Sequence, residues 1–162
     1  LRRGHGAEHE EVGAMSEKEA LLISACLLGV ECKYSGGHNA MAAGKIAALR
    51  EKYRLVPVCP ETAGGLPTPR DPSERRGGAV VSCKGRDVTA EYSKGADVAV
   101  SLAEKNGCKT ALLKEKSPSC GSGVIYDGSF SGRLTQGDGV ATERLRARGV
   151  KILGENEADM LI

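Results

Sequence analysis

Leu21-Leu-Ile-Ser-Ala25 is a short, uninterrupted apolar run, the pattern of a strand buried on both faces of a parallel sheet. Cys26 follows it directly. Arg54-Leu-Val-Pro-Val58 repeats the pattern and is followed at once by Cys59, and Thr110-Ala-Leu-Leu-Lys114 repeats it a few residues before Cys120. Val150-Lys-Ile-Leu153 reads as a last strand, and Ala79-Val-Val-Ser-Cys83 carries a further strand signal. The segments between them favour helix. These are Ala40 to Lys52, then Thr89 to Asn106 with Tyr92, Ala96, Ala99 and Ala103 on one face and Gly107 as its stop, then Asp138 to Arg148 closed by Gly149. Strands and helices alternating at this spacing predict an α/β fold. The expected architecture is one three-layer, Rossmann-like domain, with a mostly parallel sheet and helices on both faces.

Five of the six prolines fall between Pro57 and Pro72, beside Gly64 and Gly65. That stretch is expected to be an ordered, irregular loop, neither helix nor central strand. Ile125 to Gly132 reads as a short turn or hairpin. Residues 1–19 lack an apolar core of signal-peptide length, so they are expected to form a disordered leader before a single domain over 20–162. Met15 reads as a natural start within that leader.

The 162 residues are 40% hydrophobic and 27% charged, which suits a globular chain with one real core. No apolar stretch approaches the roughly 20 residues that cross a bilayer, so a membrane partner is not expected. Lys plus Arg is 23 and Asp plus Glu is 21, spread evenly, and aromatic residues are only 3%. That balance argues against a nucleic-acid polymer as partner, since it offers neither a basic stripe nor stacking platforms. With no export signal, the six cysteines are expected to meet a reducing cytoplasm as free thiols.

In an open parallel sheet, ligands bind at the carboxyl ends of the strands, near the point where strand order reverses. Cys26, Cys59 and Cys120 share that address although they are far apart in sequence, so they are expected to converge on one crevice. Cys83 and Cys108 sit in apolar or helix-end contexts and read as small apolar filler, while Lys33 and Tyr34 suggest partial exposure for Cys32. Three thiolates with little imidazole nearby suit either zinc with a fourth cysteine or an iron–sulfur cluster. In the latter case one iron keeps an open, Lewis-acidic position. Glu61, two residues after Cys59, is placed to transfer protons or to remain a solvated loop carboxylate. Ser117 and Ser119 flank Pro118 just before Cys120, where a hydroxyl orients a substrate or satisfies the turn. Arg70 brings a cation to the same rim, for an anion or a polar substrate edge, or for a surface ion pair. His38 is the one histidine of the domain, which weakens a cysteine–histidine nucleophile.

Ser24-Ala-Cys26-Leu-Leu-Gly, Cys32-Lys-Tyr-Ser-Gly-Gly-His38-Asn, Val58-Cys-Pro-Glu61, Gly64-Gly-Leu-Pro-Thr-Pro-Arg70 and Ser117-Pro-Ser-Cys-Gly121 occur here in order. Together with Asp87-Val-Thr and Ile125-Tyr-Asp-Gly-Ser-Phe-Ser-Gly132, they make the chain from about Leu21 to Glu155 resemble the thiouracil desulfurase family. The resemblance implies a [4Fe–4S] cluster on Cys26, Cys59 and Cys120, whose fourth iron takes the sulfur of a thiolated nucleobase such as 2-thiouracil. It also implies Glu61 as catalytic acid/base, Ser117 as the family's serine, and a non-redox reaction releasing uracil and hydrosulfide. Cys32 belongs to the family pattern without being one of the three ligands, which leaves it as a spare thiol for sulfur handling. Competing readings are a related cluster-dependent sulfur-transfer enzyme or desulfidase with another substrate, and a non-catalytic metal or redox-sensing module in which Cys32 completes four ligands. A nucleotide-binding domain ranks last, because no G-x-G-x-x-G or Walker pattern joins a strand to a helix.

Overall fold

A computed structural model describes residues 18–162, so most of the expected leader, Met15 included, lies outside the described residues. Four strands form the central sheet: β1 (Glu19–Ser24), β2 (Tyr53–Val58), β5 (Thr110–Leu113) and β8 (Lys151–Gly154). Their order is β2-β1-β5-β8 and every pairing is parallel. Strand β1 follows the alternation of a pleated sheet. Leu22 faces one side and Leu21 and Ile23 the other, all three fully buried.

Each face of the sheet is covered. Leu22, Val56, Ala111 and Ile152 pack against the apolar faces of α3 (Thr89–Asn106) and α4 (Val140–Ala147). Leu21, Ile23, Leu112 and Leu153 pack against Leu49 of α1 (Ala43–Lys52) and against Ala158 and Leu161 of a C-terminal 3-10 helix (Glu155–Leu161). Burying each such leucine contributes about 2 kcal/mol, which explains why the apolar runs choose strand. The helix after β1 covers one face and the helices before and after β5 cover the other. The strand order therefore reverses between β1 and β5, and a crevice opens at their carboxyl ends.

Helix α3 runs over the expected residues, with Tyr92, Ala96, Ala99 and Ala103 buried. Asp87 Oδ1 accepts the Thr89 amide at 2.9 Å at its start, and Gly107 ends it at φ 66°. Pro57 falls as expected in a strand that is not central, and the proline-rich stretch differs from expectation in one place, at Pro60. Pro57 lies inside β2, which is tolerated because β2 is an edge strand and loses no central ladder bond. Pro60 opens a one-turn helix, α2 (Pro60–Ala63), at the first helical position, where the missing N–H has no intrahelical partner to lose.

The remaining strands pair outside the main sheet, as β3 (Ser73–Arg76) with β4 (Ala79–Ser82) and β6 (Val124–Tyr126) with β7 (Leu134–Gln136), both antiparallel. The expected hairpin near Ile125 is present, whereas β3, β7 and the C-terminal 3-10 helix carry no clear period in the sequence. No helix of the described residues is long and apolar enough to cross a membrane.

One close approach fixes the loop after β2. A Cβ on Gly64 would sit 1.9 Å from the Glu91 carbonyl oxygen, and one on Gly95 would sit 1.7 Å from that of Pro60. The α2 turn thus lies backbone to backbone on α3. Gly95→Ala is expected to lower stability by about 3 kcal/mol, the upper range for overpacking, as read from the urea midpoint. A loss under half a kilocalorie would mean that α2 is free to move.

Candidate active site

Because β1, β2 and β5 are parallel, the residues that leave their carboxyl ends meet at one edge of the sheet. Cys26 stands in the 3-10 turn Ala25–Leu28 after β1, Cys59 directly follows β2, and Cys120 lies in the loop after β5. All three line a single cavity of about 460 Å³, and Cys32, Glu61 and Ser119 line it too. The convergence expected from spacing is therefore present. Among the described residues, no three His, Cys, Asp or Glu side chains close on a point as ligands of a single metal ion do. The three thiols line one shared space, and sulfur donors without imidazole suit zinc or an iron–sulfur group.

All six cysteines are free. Cys120 is 4% exposed, and burial pushes its thiol up to about 12 although Ser24 and Ser119 hydrogen-bond to it. Burial also raises Cys26, against a hydrogen bond from the Asn39 side chain, with the neighbouring Cys59 adding to the rise. Thiols so desolvated stay protonated unless positive charge enters the cavity, and a bound metal centre supplies it.

Cys32 departs from expectation. It is 7% exposed rather than partly open, and burial followed by the adjacent Cys59 raises its thiol to about 12. The Cys59 Sγ also lies 3.7 Å from the Cys32 carbonyl oxygen. The Asn39 amide donates to the Cys26 carbonyl at 2.9 Å, and the Cys32 carbonyl accepts Arg70 Nη2 at 2.8 Å, which ties the Cys32 segment to the cavity wall. Cys108 is buried as expected, but Cys83 is exposed, because β4 ends at Ser82 and the chain turns outward there. His38 does not line the cavity; its Nδ1 accepts the Ala40 amide at 3.0 Å.

Glu61 sits in α2 with its side chain 14% exposed, gripped on both oxygens. Arg70 Nε donates to Oε1 at 3.0 Å, and Nη2 reaches the same oxygen at 3.0 Å. Ser119 Oγ donates to Oε2 at 3.0 Å. The remaining guanidinium donors go to the Cys32 carbonyl (2.8 Å), the Pro67 carbonyl and Thr68 Oγ1 (3.1 Å each). Arg70 is thus neither a surface ion pair nor a free anion hook. At 6% side-chain exposure it is a clamp that spends its donor groups on Glu61 and the surrounding loops.

Ser117 Oγ accepts the amides of Ser119 (3.1 Å) and Cys120 (3.0 Å), so it caps the turn that presents Cys120. Its hydroxyl also lies 2.9 Å from Ser119 Oγ. Sequence reasoning placed Tyr92 only on an apolar face. Its hydroxyl stands beside Ser73 and Glu61, and burial, reinforced by the Glu61 charge, raises its pKa strongly. An aromatic residue at core spacing gives no sign that its polar end reaches a carboxylate.

The solved structure of a [4Fe-4S]-dependent thiouracil desulfidase, TudS (DUF523Vcz), is similar to this chain. It matches with a TM-score of 0.85 and 46% identity, over 89% of this chain and 95% of that one. The Bacillus subtilis (strain 168) protein YbbK is 40% identical over 88% of this chain and 99% of its own length. The family model described as 2-thiouracil desulfurase matches residues 21–157, and the chain belongs to that family.

Proposed function

We propose that this protein is a [4Fe–4S]-dependent desulfurase that removes the sulfur of a thiolated pyrimidine such as 2-thiouracil, giving uracil and hydrosulfide. The observation that carries this reading is the meeting of Cys26, Cys59 and Cys120 around one cavity that Glu61 also enters. Family membership and the likeness to a thiouracil desulfidase support it. The three thiolates of Cys26, Cys59 and Cys120 would hold the cluster, and a reducing cytoplasm would keep them available. When bound, the cluster supplies a thiophilic Lewis acid with an open position, suited to a soft thiocarbonyl sulfur.

The protein's own groups handle protons and position. The carbon bonded to sulfur has the same oxidation state in substrate and product, so water is the only co-reactant. Glu61 takes a proton from that water. Arg70 holds the Glu61 carboxylate toward the cavity, and Ser117 fixes the turn that carries Ser119 and Cys120.

Cys32 gives a second reading its footing, since it lies in the same cavity beside Cys59. Four thiolates would close the site and leave a structural or redox-sensing centre. Anaerobically purified, iron-loaded protein incubated with 2-thiouracil separates the two. Equal amounts of uracil and sulfide, with many turnovers per chain, are expected. Full iron loading with no sulfide from 2-thiouracil would favour the closed centre or a different substrate.

A further inference from the structure

Aromatic side chains are scarce in this chain: four tyrosines, one phenylalanine and no tryptophan. Three of these five, Tyr34, Tyr92 and Tyr126, nevertheless line the cavity that the cysteines line. Tyr92 is 2% exposed and packs with Leu66, Val80 and Val88, so its ring belongs to the core. Tyr34 is 47% exposed, and ordering it against a ligand costs side-chain entropy. Tyr126 differs from both. It is half-buried on β6, and its backbone is fixed from either side.

On one side stands Ile125, which is buried and packs so closely on Gly121 that a Cβ there would come within 2.8 Å of it. Alternation along β6 then turns Tyr126 the opposite way. On the other side, the Asp127 amide donates to the Arg133 carbonyl at 3.0 Å. Glu74 Oε1 accepts the amides of Gly128 (2.9 Å) and Phe130 (3.0 Å), and Arg76 Nε donates to the Gly128 carbonyl at 2.8 Å. None of these bonds uses the Tyr126 side chain. A ring held this way, with a face on a cavity, meets a flat ligand at little further entropic cost.

We propose that Tyr126 is the platform on which the pyrimidine ring stacks, and that it sets the affinity for ring-bearing thiones. The thione part rests on the desulfurase reading above. Stacking engages the face of the ring and leaves its edge, with the thiocarbonyl and N–H groups, free for the chemistry. The contact is alike for substrate, transition state and product, so it lowers KM without changing kcat. Uracil keeps the ring but carries no sulfur for iron, which makes it the probe that isolates this contact.

Tyr126→Phe, Tyr126→Leu and Tyr126→Ala, purified without oxygen and matched in iron per chain, are titrated with uracil by calorimetry and assayed with 2-thiouracil. Leucine and alanine are each expected to weaken uracil binding and raise KM by about 10- to 100-fold, the span of one base–aromatic stack. Their kcat is expected to stay within about three-fold of wild type. Phenylalanine, which keeps the π face, is expected to restore most of the affinity lost with leucine. Tyr34→Ala is expected to change both constants less than Tyr126→Ala does. Leucine that binds uracil as tightly as tyrosine would overturn the platform, since bulk rather than a π face would then suffice. A fall in kcat at unchanged KM, a larger effect of Tyr34→Ala, or iron-loaded wild type with no measurable affinity for uracil would overturn it too. The desulfurase reading fails by a different result. Wild-type protein that releases no sulfide from 2-thiouracil, yet binds uracil and loses that binding in Tyr126→Ala, would sink the reaction and leave the ring subsite standing.

Discussion

Cys26→Ala and Cys120→Ala are each expected to reduce bound iron to a small fraction of the wild-type level and to abolish sulfide release. A cluster site built on three thiolates has no soft donor to spare, and two sulfurs hold a cubane far more weakly than three. Cys120 is the stricter case. It is almost fully buried, its turn is capped by Ser117, and its carbonyl accepts Thr142 Oγ1 at 2.8 Å, so no neighbouring thiol can swing into its place. Cys59 is the lenient one, because Cys32 stands beside it. Cys59→Ala should therefore keep residual iron that disappears when Cys32 is also replaced, while Cys32→Ala alone keeps both iron and turnover. Loss of turnover in Cys32→Ala would place that thiol in the machinery. Full iron in Cys120→Ala would remove it from the ligand set. Iron and acid-labile sulfide counts, with the visible absorbance of the cluster, read these outcomes.

Glu61→Gln carries the second large effect. The amide keeps the shape of the side chain and offers an oxygen to Arg70, but it takes up no proton. Turnover is expected to fall by about 10³-fold, within the range of general acid–base groups, with iron content unchanged and KM within a few-fold. Glutamine is the informative substitution here. Glu61→Ala leaves the Arg70 guanidinium buried and unpaired, at a stability cost of about 3–5 kcal/mol, so lost activity there would mix chemistry with unfolding. Glu61→Gln that turns over at the wild-type rate with its iron in place would leave Glu61 as a structural partner of Arg70 and nothing more.

Much of the architecture is legible before any coordinates. Leu21 to Ala25 and Thr110 to Lys114 are continuous apolar runs because their strands are covered on both faces, and that pattern has few other causes. The meeting of Cys26, Cys59 and Cys120 follows from strand direction and the carboxyl-end rule, which need no knowledge of side-chain packing. What stayed hidden is tertiary in origin. Arg70 is a surface residue by type, and only the fold of its loop buries it against Glu61. Cys32 reads as partly exposed from Lys33 and Tyr34, yet it is buried beside Cys59 with its carbonyl held by Arg70. The proline-rich stretch misleads at one position for a local reason: Pro60 occupies the first helical residue, which forgives a missing N–H. The hydroxyl of Tyr92 beside Glu61, like the contact between Ser119 and Glu61, depends on ångström-scale placement that no periodicity encodes.

The most direct test of a three-thiolate cluster with one open position is an iron and acid-labile sulfide count on anaerobically purified Cys32→Ala protein, taken on the same sample as its 2-thiouracil turnover. About four iron and four sulfide per chain, with turnover intact, are expected when Cys26, Cys59 and Cys120 suffice. Zinc in place of iron and sulfide, or a cluster that vanishes with Cys32, would contradict it.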